Sequence, residues 1–484
     1  MPNFDDVTIE QLFGAEDAEN ETPERFKAYF FYNKAYESVI APLPIRILVG
    51  HKGVGKSALL RHAYLADQEQ GRLAVWIQPN DLVPRISGVQ SKEFNELIEE
   101  WKLGLVEAVA DTILKDHLDS HLTTEDSGVL KKGARVIVDV IQSHLGKIAK
   151  EQLSTAKTNI VERFIQNGNV HVYVDDIDRG WAASKDNIQS ISALLNAIRD
   201  LAGSQSRMSF RIGLRTDVYF LVRTSDESTD KIERHVIWLD WTNHEILAVM
   251  AKRIVTYFGE NTSQKDILAM TQKDISQEIL SRVIVPRFEG EGHWSRRSIH
   301  NVLLSLIRKR PRDLVKLMHA AARNAYKSGN KIISSSNLEQ AFVGYSNDRL
   351  QDIVNEFRSE LPNIEALLLN MRATKKQRRT AESFLFTTDQ LTTKLKEVIG
   401  HTTLIFSGGR RVSAQSLIQF MYKIDFITAR RESPDGRIDR QYFDQSRFLA
   451  NEFVDFGYDW EIHPAYRWAL SPQNIQEVID SLGK

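Results

Sequence analysis

Short runs of apolar residues alternate with helical patterns through the first half of the chain. The runs are almost continuous in apolar residues and occupy 45–49, 72–77, 170–174, 209–214 and 235–239. Helical spacing of apolar residues is found before the fourth run and between the last two. Strands that are apolar on both faces and alternate with helices are typical of a parallel sheet covered on both sides. The pattern therefore predicts an α/β core over residues 45–241.

Helical spacing dominates the segments around this core. Apolar residues three and four positions apart over residues 92–165 predict a helical insertion between the second and third strands. Residues 1–44 are predicted to form an N-terminal helical segment, and residues 242–346 a helical lid domain. Within the lid, 245–258 and 299–328 are the strongest helical patterns.

The last part of the chain, residues 347–484, has a different pattern. Its helices are followed by an apolar run at 426–430, a Pro-Asp-Gly turn at 434–436 and a second run at 438–443. A helix that leads into a two-stranded hairpin is the arrangement of a winged helix. We therefore expect a winged-helix-like α+β domain at this end of the chain.

The first apolar run leads directly into a glycine-rich segment that matches G-x-x-x-x-G-K-[ST]. Backbone N–H groups of such a turn surround phosphates, and the helix that follows adds a positive end. Lys56 is expected to reach the β- and γ-phosphates, and the Ser57 hydroxyl to bind Mg²⁺. The residues predicted to bind the nucleoside triphosphate are Gly50, His51, Lys52, Gly53, Val54, Gly55, Lys56, Ser57 and Ala58.

Two carboxylates follow the third strand. Asp175 is expected to hold Mg²⁺, and Asp176 to orient the attacking water or accept its proton. The alternative is a solvated turn, which an Asp-Asp pair after a strand often forms. The upstream phosphate-binding motif favours the catalytic interpretation.

Arginines stand at several positions where a nucleotide site needs positive charge. Arg215 follows the fourth strand and is predicted to sense the γ-phosphate; alternatively, it caps a helix or pairs with Asp217. Arg179, just past the acidic strand, has the same two interpretations.

Two further arginines are candidates from more distant segments. Arg234 precedes the fifth strand, from which an arginine finger could reach the γ-phosphate of a neighbouring subunit. A surface ion pair with Glu233 or Asp230 is the alternative. In the predicted lid, Arg312 follows the proline that opens a helix, and it could contact the nucleotide from above.

Composition excludes several classes of chemistry. The 484 residues include no cysteine, so disulfides, thiolate metal sites and cysteine nucleophiles are absent, as suits a reducing cytoplasm. No apolar stretch is long enough to span a bilayer, and the chain does not begin with a targeting pattern. A net charge of −1 provides no overall attraction to nucleic acid or membranes. A cytoplasmic protein without a membrane partner is expected.

The order of these motifs resembles that of bacterial P-loop ATPases of the additional-strand class, near the STAND and KAP groups. It is similar, more distantly, to the origin-recognition branch of AAA+ proteins. The resemblance covers about residues 13–346 and rests on the P-loop, Asp-Asp-Ile-Asp-Arg-Gly-Trp, Leu-Arg-Thr-Asp and Arg-Pro-Arg-Asp-Leu.

This resemblance implies ATP at Gly53, Gly55, Lys56 and Ser57, metal at Asp175 and catalysis at Asp176. AAA+ proteins usually have Glu where this chain has Asp176, so the resemblance implies slow turnover, as in STAND-like switches. Because members of this neighbourhood often stand beside effector genes in defence against phages, it also implies that role.

The C-terminal region carries basic clusters that could grip DNA phosphates. They comprise Arg372, Lys375, Lys376, Arg378, Arg379, Arg410, Arg411, Arg430 and Arg431. Nearby acidic residues dilute this charge, so a solvated surface or a protein-docking module is the alternative.

Three functions remain open at this level. The first is an ATP-driven switch or motor that forms a homo-oligomer and controls a partner or effector protein. The second is a DNA-binding loader, and the third is a nucleotide-binding scaffold without turnover.

Overall fold

The computed structural model describes most of the chain. The described residues are 2–78, 93–120, 161, 169–179, 181, 183–225, 230–290, 294–373, 384–407, 409, 411–433, 438–446, 449, 457–471 and 478. They form two compact units. The α/β unit contains Asn33–His51 and Lys56–Leu239, and the helix-rich unit contains Met1–Tyr32, Lys52–Gly55 and Asp240–Lys484.

The strands are β1 (Ile45–Val49), β2 (Leu73–Ile77), β3 (Val170–Val174), β4 (Met208–Leu214), β5 (Val236–Trp238), β6 (Leu385–Phe386), β7 (Ile427–Glu432), β8 (Ile438–Gln441) and β9 (Asp459–Ile462).

The helices are α1 (Asp6–Phe13), α2 (Pro23–Tyr29), α3 (Lys34–Ile40), α4 (Lys56–Glu69), α5 (Phe94–Ser120), α6 (Lys185–Ser204), α7 (Thr216–Ser225), α8 (Asp230–Glu233), α9 (Asn243–Tyr257), α10 (Gln264–Ala269), α11 (Gln272–Asp274), α12 (Ile299–Leu306), α13 (Pro311–Lys327), α14 (Ser335–Phe357), α15 (Ile364–Asn370), α16 (Thr388–His401), α17 (Ala414–Lys423) and α18 (Pro464–Leu470).

A five-stranded parallel sheet is the centre of the α/β unit. Its strand order is β2-β3-β4-β1-β5, and β1 pairs in parallel with both β4 and β5. The strands are largely buried because the valines and isoleucines of their continuous apolar runs pack under α4 and α6. The predicted α/β fold with a parallel sheet is therefore confirmed, and its five strands lie where the apolar runs predict them.

The register of the parallel strands places the carboxyl ends of β1, β3 and β4 at one edge of this sheet. Val49 of β1 pairs with Leu214 of β4, and Val174 of β3 pairs with Ile212 of β4. Parallel strands end on the same side, so the segments after β1, β3 and β4 begin close together. The P-loop, the acidic pair and Arg215 are these three segments.

The helix-rich unit contains a second, antiparallel sheet of order β6-β9-β7-β8. We call this sheet, together with α16, α17 and α18, the C-terminal module. The predicted hairpin is present as β7 and β8, while its turn at 434–436 lies outside the described residues. An α+β module is confirmed; its designation as a winged helix stays a prediction, since β9 and β6 extend the sheet beyond a two-stranded hairpin.

The predicted helical segment over residues 299–328 consists of two helices, α12 and α13, and the second begins at the proline, as predicted. Pro311 occupies the first turn of α13, where a missing N–H costs nothing, but it cannot continue a preceding helix. Lys309, between the helices, has a left-handed φ of 53°.

Of two other predictions, the structure describes one in part and does not test the other. Of the predicted insertion at 92–165, the structure describes α5, which packs on α6, and residue 161; the remainder lies outside the described residues. The division of the chain at 44, 241 and 346 stays a prediction. In the described part of the chain, no helix combines the length and apolar character that crossing a membrane requires.

Candidate functional site

The P-loop has the strand–turn–helix form that its sequence predicts. The chain leaves β1 at Val49 and enters α4 at Lys56. Gly53 and Gly55 have φ values of 84° and 102°, which glycine adopts without the steric cost of a Cβ atom. The Gly50 N–H donates to the Leu214 carbonyl at 3.2 Å, which anchors the start of the turn to β4.

The side chains of the P-loop differ in exposure. His51 and Val54 are buried, Lys52 is exposed, and Lys56, Ser57 and Ala58 form the half-buried first turn of α4. The Lys56 ammonium donates to the carbonyls of Gly50 and His51 at 2.8 and 3.1 Å. The Lys56 ammonium is therefore held at the start of the P-loop, within the segment that is predicted to bind phosphates.

The two predicted Mg²⁺ ligands are in contact. The Ser57 hydroxyl is hydrogen-bonded to the Asp175 carboxylate. Asp175 is only 2% exposed, and burial raises its pKa to about 6; the Ser57 hydrogen bond opposes this rise, Asp176 adds to it, and Lys56 opposes it. Among the described residues, Asp175 Oδ2 has no hydrogen-bond partner.

Gly213 makes room for this carboxylate. It lies in β4, and a Cβ atom there would stand 2.6 Å from Asp175 Oδ1, well inside the contact distance of nonbonded atoms. Sequence reasoning missed Gly213. A glycine one residue before the end of a strand is a weak signal until the neighbouring strand is known.

The donor atoms of this pair suit Mg²⁺. A hydroxyl and a carboxylate are hard oxygen ligands, and Mg²⁺ usually takes one or two carboxylates together with phosphates and water. The described residues contain no group of three or more His, Asp or Glu side chains that could form an all-protein cage. The Ser57 hydroxyl and the Asp175 carboxylate therefore fit Mg²⁺ that is bound together with phosphates.

Asp176 adopts an uncommon backbone conformation. Its φ is 54°, in the left-handed region, and its side chain is exposed. Its carbonyl accepts the Arg179 N–H at 2.8 Å, which closes a turn after β3. Such outliers cluster at functional sites. The predicted role of Asp176 in catalysis stays a prediction.

Asp178, to which sequence reasoning assigned no role, connects two of the loops. One of its carboxylate oxygens accepts the Arg215 N–H at 3.0 Å. Burial raises the pKa of Asp178, while the charges of Arg215 and Lys56 oppose that rise. This carboxylate therefore ties the acidic turn after β3 to the end of β4.

Arg215 pairs with Asp217, as the structural alternative for it predicts. Its Nε and Nη2 donate to the two Asp217 oxygens at 3.0 and 2.8 Å. Although Arg215 is paired, it still lies at the sheet edge where the P-loop begins, because it directly follows β4. Its function as a γ-phosphate sensor stays a prediction.

Arg234 is exposed and stands next to β5, where its Nε donates to His235 Nε2 at 3.0 Å. The alternative predicted for it was an ion pair with Glu233 or Asp230. The structure instead pairs both carboxylates with Arg223, at 2.6 and 3.8 Å. Arg179 is also exposed.

Arg312 belongs to the helix-rich unit and lies against the P-loop turn. A Cβ atom on Gly53 would be 3.4 Å from both Cβ and Cδ of Arg312. Its guanidinium donates to the Glu16 carbonyl at 3.2 Å and forms an ion pair with Asp17. Its predicted contact with nucleotide stays a prediction.

One residue of the predicted basic surface of the C-terminal module is buried. Arg430 is 3% exposed and pairs with Glu432 at 3.0 Å. Arg431 and Arg411 are exposed, and the Arg431 guanidinium lies 4.2 Å from the centre of the Tyr458 ring. The other predicted basic residues, except the exposed Arg372, lie outside the described residues.

Comparison with known proteins identifies several similarities. Residues 244–354, from α9 into α14, match the FunZ-associated C-terminal helical domain. The chain is 24% identical to the transposon gamma-delta 80.3 kDa protein of Escherichia coli (strain K12), over 97% of this chain and 69% of that protein.

The chain is also similar, at low identity, to two solved structures. A Walker-type ATPase of Pyrococcus abyssi has 11% identity and a TM-score of 0.42, with 97% of this chain and 96% of that chain covered. The ORC2 protein of Aeropyrum pernix has 9% identity and a TM-score of 0.40, with 96% of each chain covered.

Proposed function

We propose that this chain is a Mg²⁺-dependent ATPase that acts as a nucleotide-driven switch. The observation that carries the proposal is the Ser57–Asp175 contact beside the P-loop, with Gly213 leaving space for the carboxylate. A P-loop match alone could be accidental. A buried carboxylate on the hydroxyl of that same P-loop, from a different strand, is the arrangement that metal-assisted phosphoryl transfer needs.

Each residue has a distinct role in this proposal. Lys56 would exchange the Gly50 and His51 carbonyls for the β- and γ-phosphates, and Ser57 and Asp175 would hold Mg²⁺. The metal would supply charge neutralisation at the phosphate oxygens. Asp176 would orient the water that attacks the γ-phosphorus and take its proton, while the bond to the ADP oxygen breaks.

Turnover is proposed to be slow. The Asp176 side chain is one methylene shorter than the glutamate usual in AAA+ proteins, so its carboxylate is harder to bring to the attacking water. Slow hydrolysis suits a switch whose ATP state must last. We further propose that the switch self-assembles through Arg234 and controls a partner or effector protein, in the manner of STAND and KAP proteins in antiphage defence.

Hydrolysis measured with purified protein tests the site. Lys56→Ala is expected to lose nucleotide binding and turnover together. Asp176→Asn should lose turnover by about a hundredfold while it still binds ATP, because Asn tolerates the left-handed backbone as Asp does. Lys331→Ala and Asp348→Asn, at exposed positions, are matched controls.

Particle mass recorded with and without ATP separates the remaining possibilities. Assembly with ATP that is lost in Lys56→Ala, without turnover, would favour a nucleotide-binding scaffold. Equal ATP binding by wild type and Lys56→Ala would rule out the proposed site.

A DNA-binding ATPase is the second candidate. The exposed Arg411, just before α17, and the exposed Arg431, in β7, favour it, although burial of Arg430 weakens it. A mobility-shift titration with duplex DNA over a salt series tests this function. Retardation that weakens steeply with salt would support it, and no retardation at low salt would exclude it.

A further inference from the structure

Successive carbonyls of the P-loop turn Lys52–Gly55 accept hydrogen bonds from outside the P-loop, all within the helix-rich unit. The Lys52 carbonyl accepts from Arg310 Nη1 at 3.2 Å. The Val54 carbonyl accepts from the Trp241 indole Nε1 at 2.7 Å. The Gly53 carbonyl, between them, has a longer contact of 3.5 Å with the Arg312 N–H.

These contacts constrain the N–H groups as well. In a planar trans peptide, the carbonyl and the N–H of the next residue point in opposite directions. Holding the carbonyls of Lys52, Gly53 and Val54 therefore orients the following N–H groups, which belong to Gly53, Val54 and Gly55. N–H groups of this segment are the ones with which a P-loop surrounds phosphates.

The donor Arg310 is fixed by a partner in the C-terminal module. Its Nη2 donates to Asp425 Oδ2 at 2.7 Å, and both residues are 2% exposed. Separating two buried opposite charges is costly, which favours the paired geometry. Asp425 lies between α17 and β7, at the start of the module's hairpin.

Left-handed backbone conformations occur at Asp425 and at the residue before Arg310. Asp425 has a φ of 56°, and Lys309, the residue before Arg310, has a φ of 53°. Residues other than glycine adopt this region at a cost that the surrounding structure must repay. The chain accepts two such residues where Arg310 and Asp425 meet.

We propose that Trp241, Arg310 and Asp425 are positioning residues that preorganise the P-loop for nucleotide. The proposal rests on the proposed function at one point, since it assigns nucleotide binding to this P-loop. It adds a means of regulation: because Asp425 belongs to the C-terminal module, the affinity for nucleotide depends on how that module is held. Coupling of this kind is reciprocal, so bound nucleotide stabilises the module.

Asp425→Asn tests the ion pair, because it keeps the shape of the side chain and removes its charge. We expect Mg²⁺–ATP to bind about tenfold more weakly, corresponding to roughly 1.4 kcal/mol. Glu360→Gln is the matched control, because Glu360 forms an ion pair with Lys423 at 2.6 Å. Lys423 is the last residue of α17, the helix that precedes Asp425. Equal weakening by both variants would mean that affinity only follows general stability, and would overturn the inference.

Trp241→Phe tests the indole N–H. Phenylalanine keeps the ring packing against Phe31, whose ring centre is 6.1 Å away, but cannot donate to Val54. The control is Trp468→Phe, because the Trp468 N–H has no hydrogen-bond partner among the described residues. Weaker nucleotide binding in Trp241→Phe, with unchanged binding in Trp468→Phe at temperatures where both are folded, is the expected result.

Hydrogen exchange without nucleotide distinguishes this inference from the proposed function. We expect faster exchange of the Gly53, Val54 and Gly55 amides in Asp425→Asn and Trp241→Phe than in wild type and the two controls. Unchanged exchange would overturn the positioning role even if the protein binds ATP. Faster exchange in a protein that binds no nucleotide would contradict only the proposed function.

Discussion

Asp175 and Gly213 show how one residue depends on another across neighbouring strands. Asp175 follows β3 and Gly213 lies near the end of β4, and the absence of a side chain at Gly213 lets the carboxylate reach Ser57. The sequence motif predicts that Asp175 is a metal ligand. It does not show that the ligand's position requires a glycine on the next strand.

At the residue scale, Gly213→Ala is expected to weaken Mg²⁺-dependent ATP binding by about tenfold or more. The new Cβ would meet Asp175 Oδ1 at 2.6 Å and push the carboxylate from Ser57. Titration of ATP with and without Mg²⁺ measures the effect. Gly203→Ala is the control, since a Cβ atom there meets no atom within 4 Å; the same loss in both variants would contradict the argument.

At the element scale, α13 is fixed at its start by a buried ionic network. Asp313 accepts hydrogen bonds from Arg308 at 2.7 and 2.9 Å and from Arg349 at 3.1 Å. Although burial opposes ionisation, these arginines hold the pKa of Asp313 well below its usual range. Arg308 also donates to the Tyr466 hydroxyl of α18 at 2.9 Å. The element that carries Arg310 and Arg312 is thus joined to the C-terminal module.

His319, in the middle of α13, connects this helix to α1. Its Nε2–H donates to the Gly14 carbonyl at 3.0 Å, and its ring lies 6.1 Å from that of Phe13. Burial lowers its pKa from 6.5 to about 4; the bond to Gly14 opposes this, and the charges of Arg323 and Arg253 add to it. The neutral ring is therefore the form that the fold accommodates.

We expect the free energy of unfolding to fall as pH is lowered from 6.5 to about 4, because the unfolded state binds a proton that native His319 resists. At about 1.4 kcal/mol per pKa unit, the loss is on the order of 3 kcal/mol. Denaturant unfolding of wild type and His319→Gln at both ends of this range measures it. The variant should lose that share of the pH dependence, and identical profiles would exclude His319 as the cause.

At the scale of the whole molecule, the proposed assembly requires one subunit to complete the site of another. Arg234 is exposed beside β5, so it is available to a neighbouring copy. Arg234→Ala subunits keep an intact P-loop, and Lys56→Ala subunits keep an intact finger. Each variant alone should be nearly inactive.

Mixing these two variants is expected to restore ATPase activity, because a mixed interface combines one intact P-loop with one intact Arg234. Steady-state hydrolysis over a range of mixing ratios measures the recovery. A mixture of Lys56→Ala with Asp176→Asn is the control, since both changes damage the same half of the site. No recovery in the first mixture, with assembly intact, would show that Arg234 does not act between subunits.

The sequence by itself determined the features that depend on local chemistry. Apolar runs predict the five parallel strands because each strand is buried on both faces, and the glycines predict the P-loop because only they adopt its φ values cheaply. Pro311 likewise predicts the start of α13, because proline is tolerated in the first turn of a helix but not in its interior.

Tertiary structure decided which partners the chemical groups have. The indole of Trp241 meets a carbonyl 187 positions away, and Arg310 meets one 258 positions away. Such contacts join segments that only folding brings together, and no periodicity or motif within either segment encodes the distance between them. The candidate site was therefore predictable from local sequence, while the residues that support it were set by long-range packing.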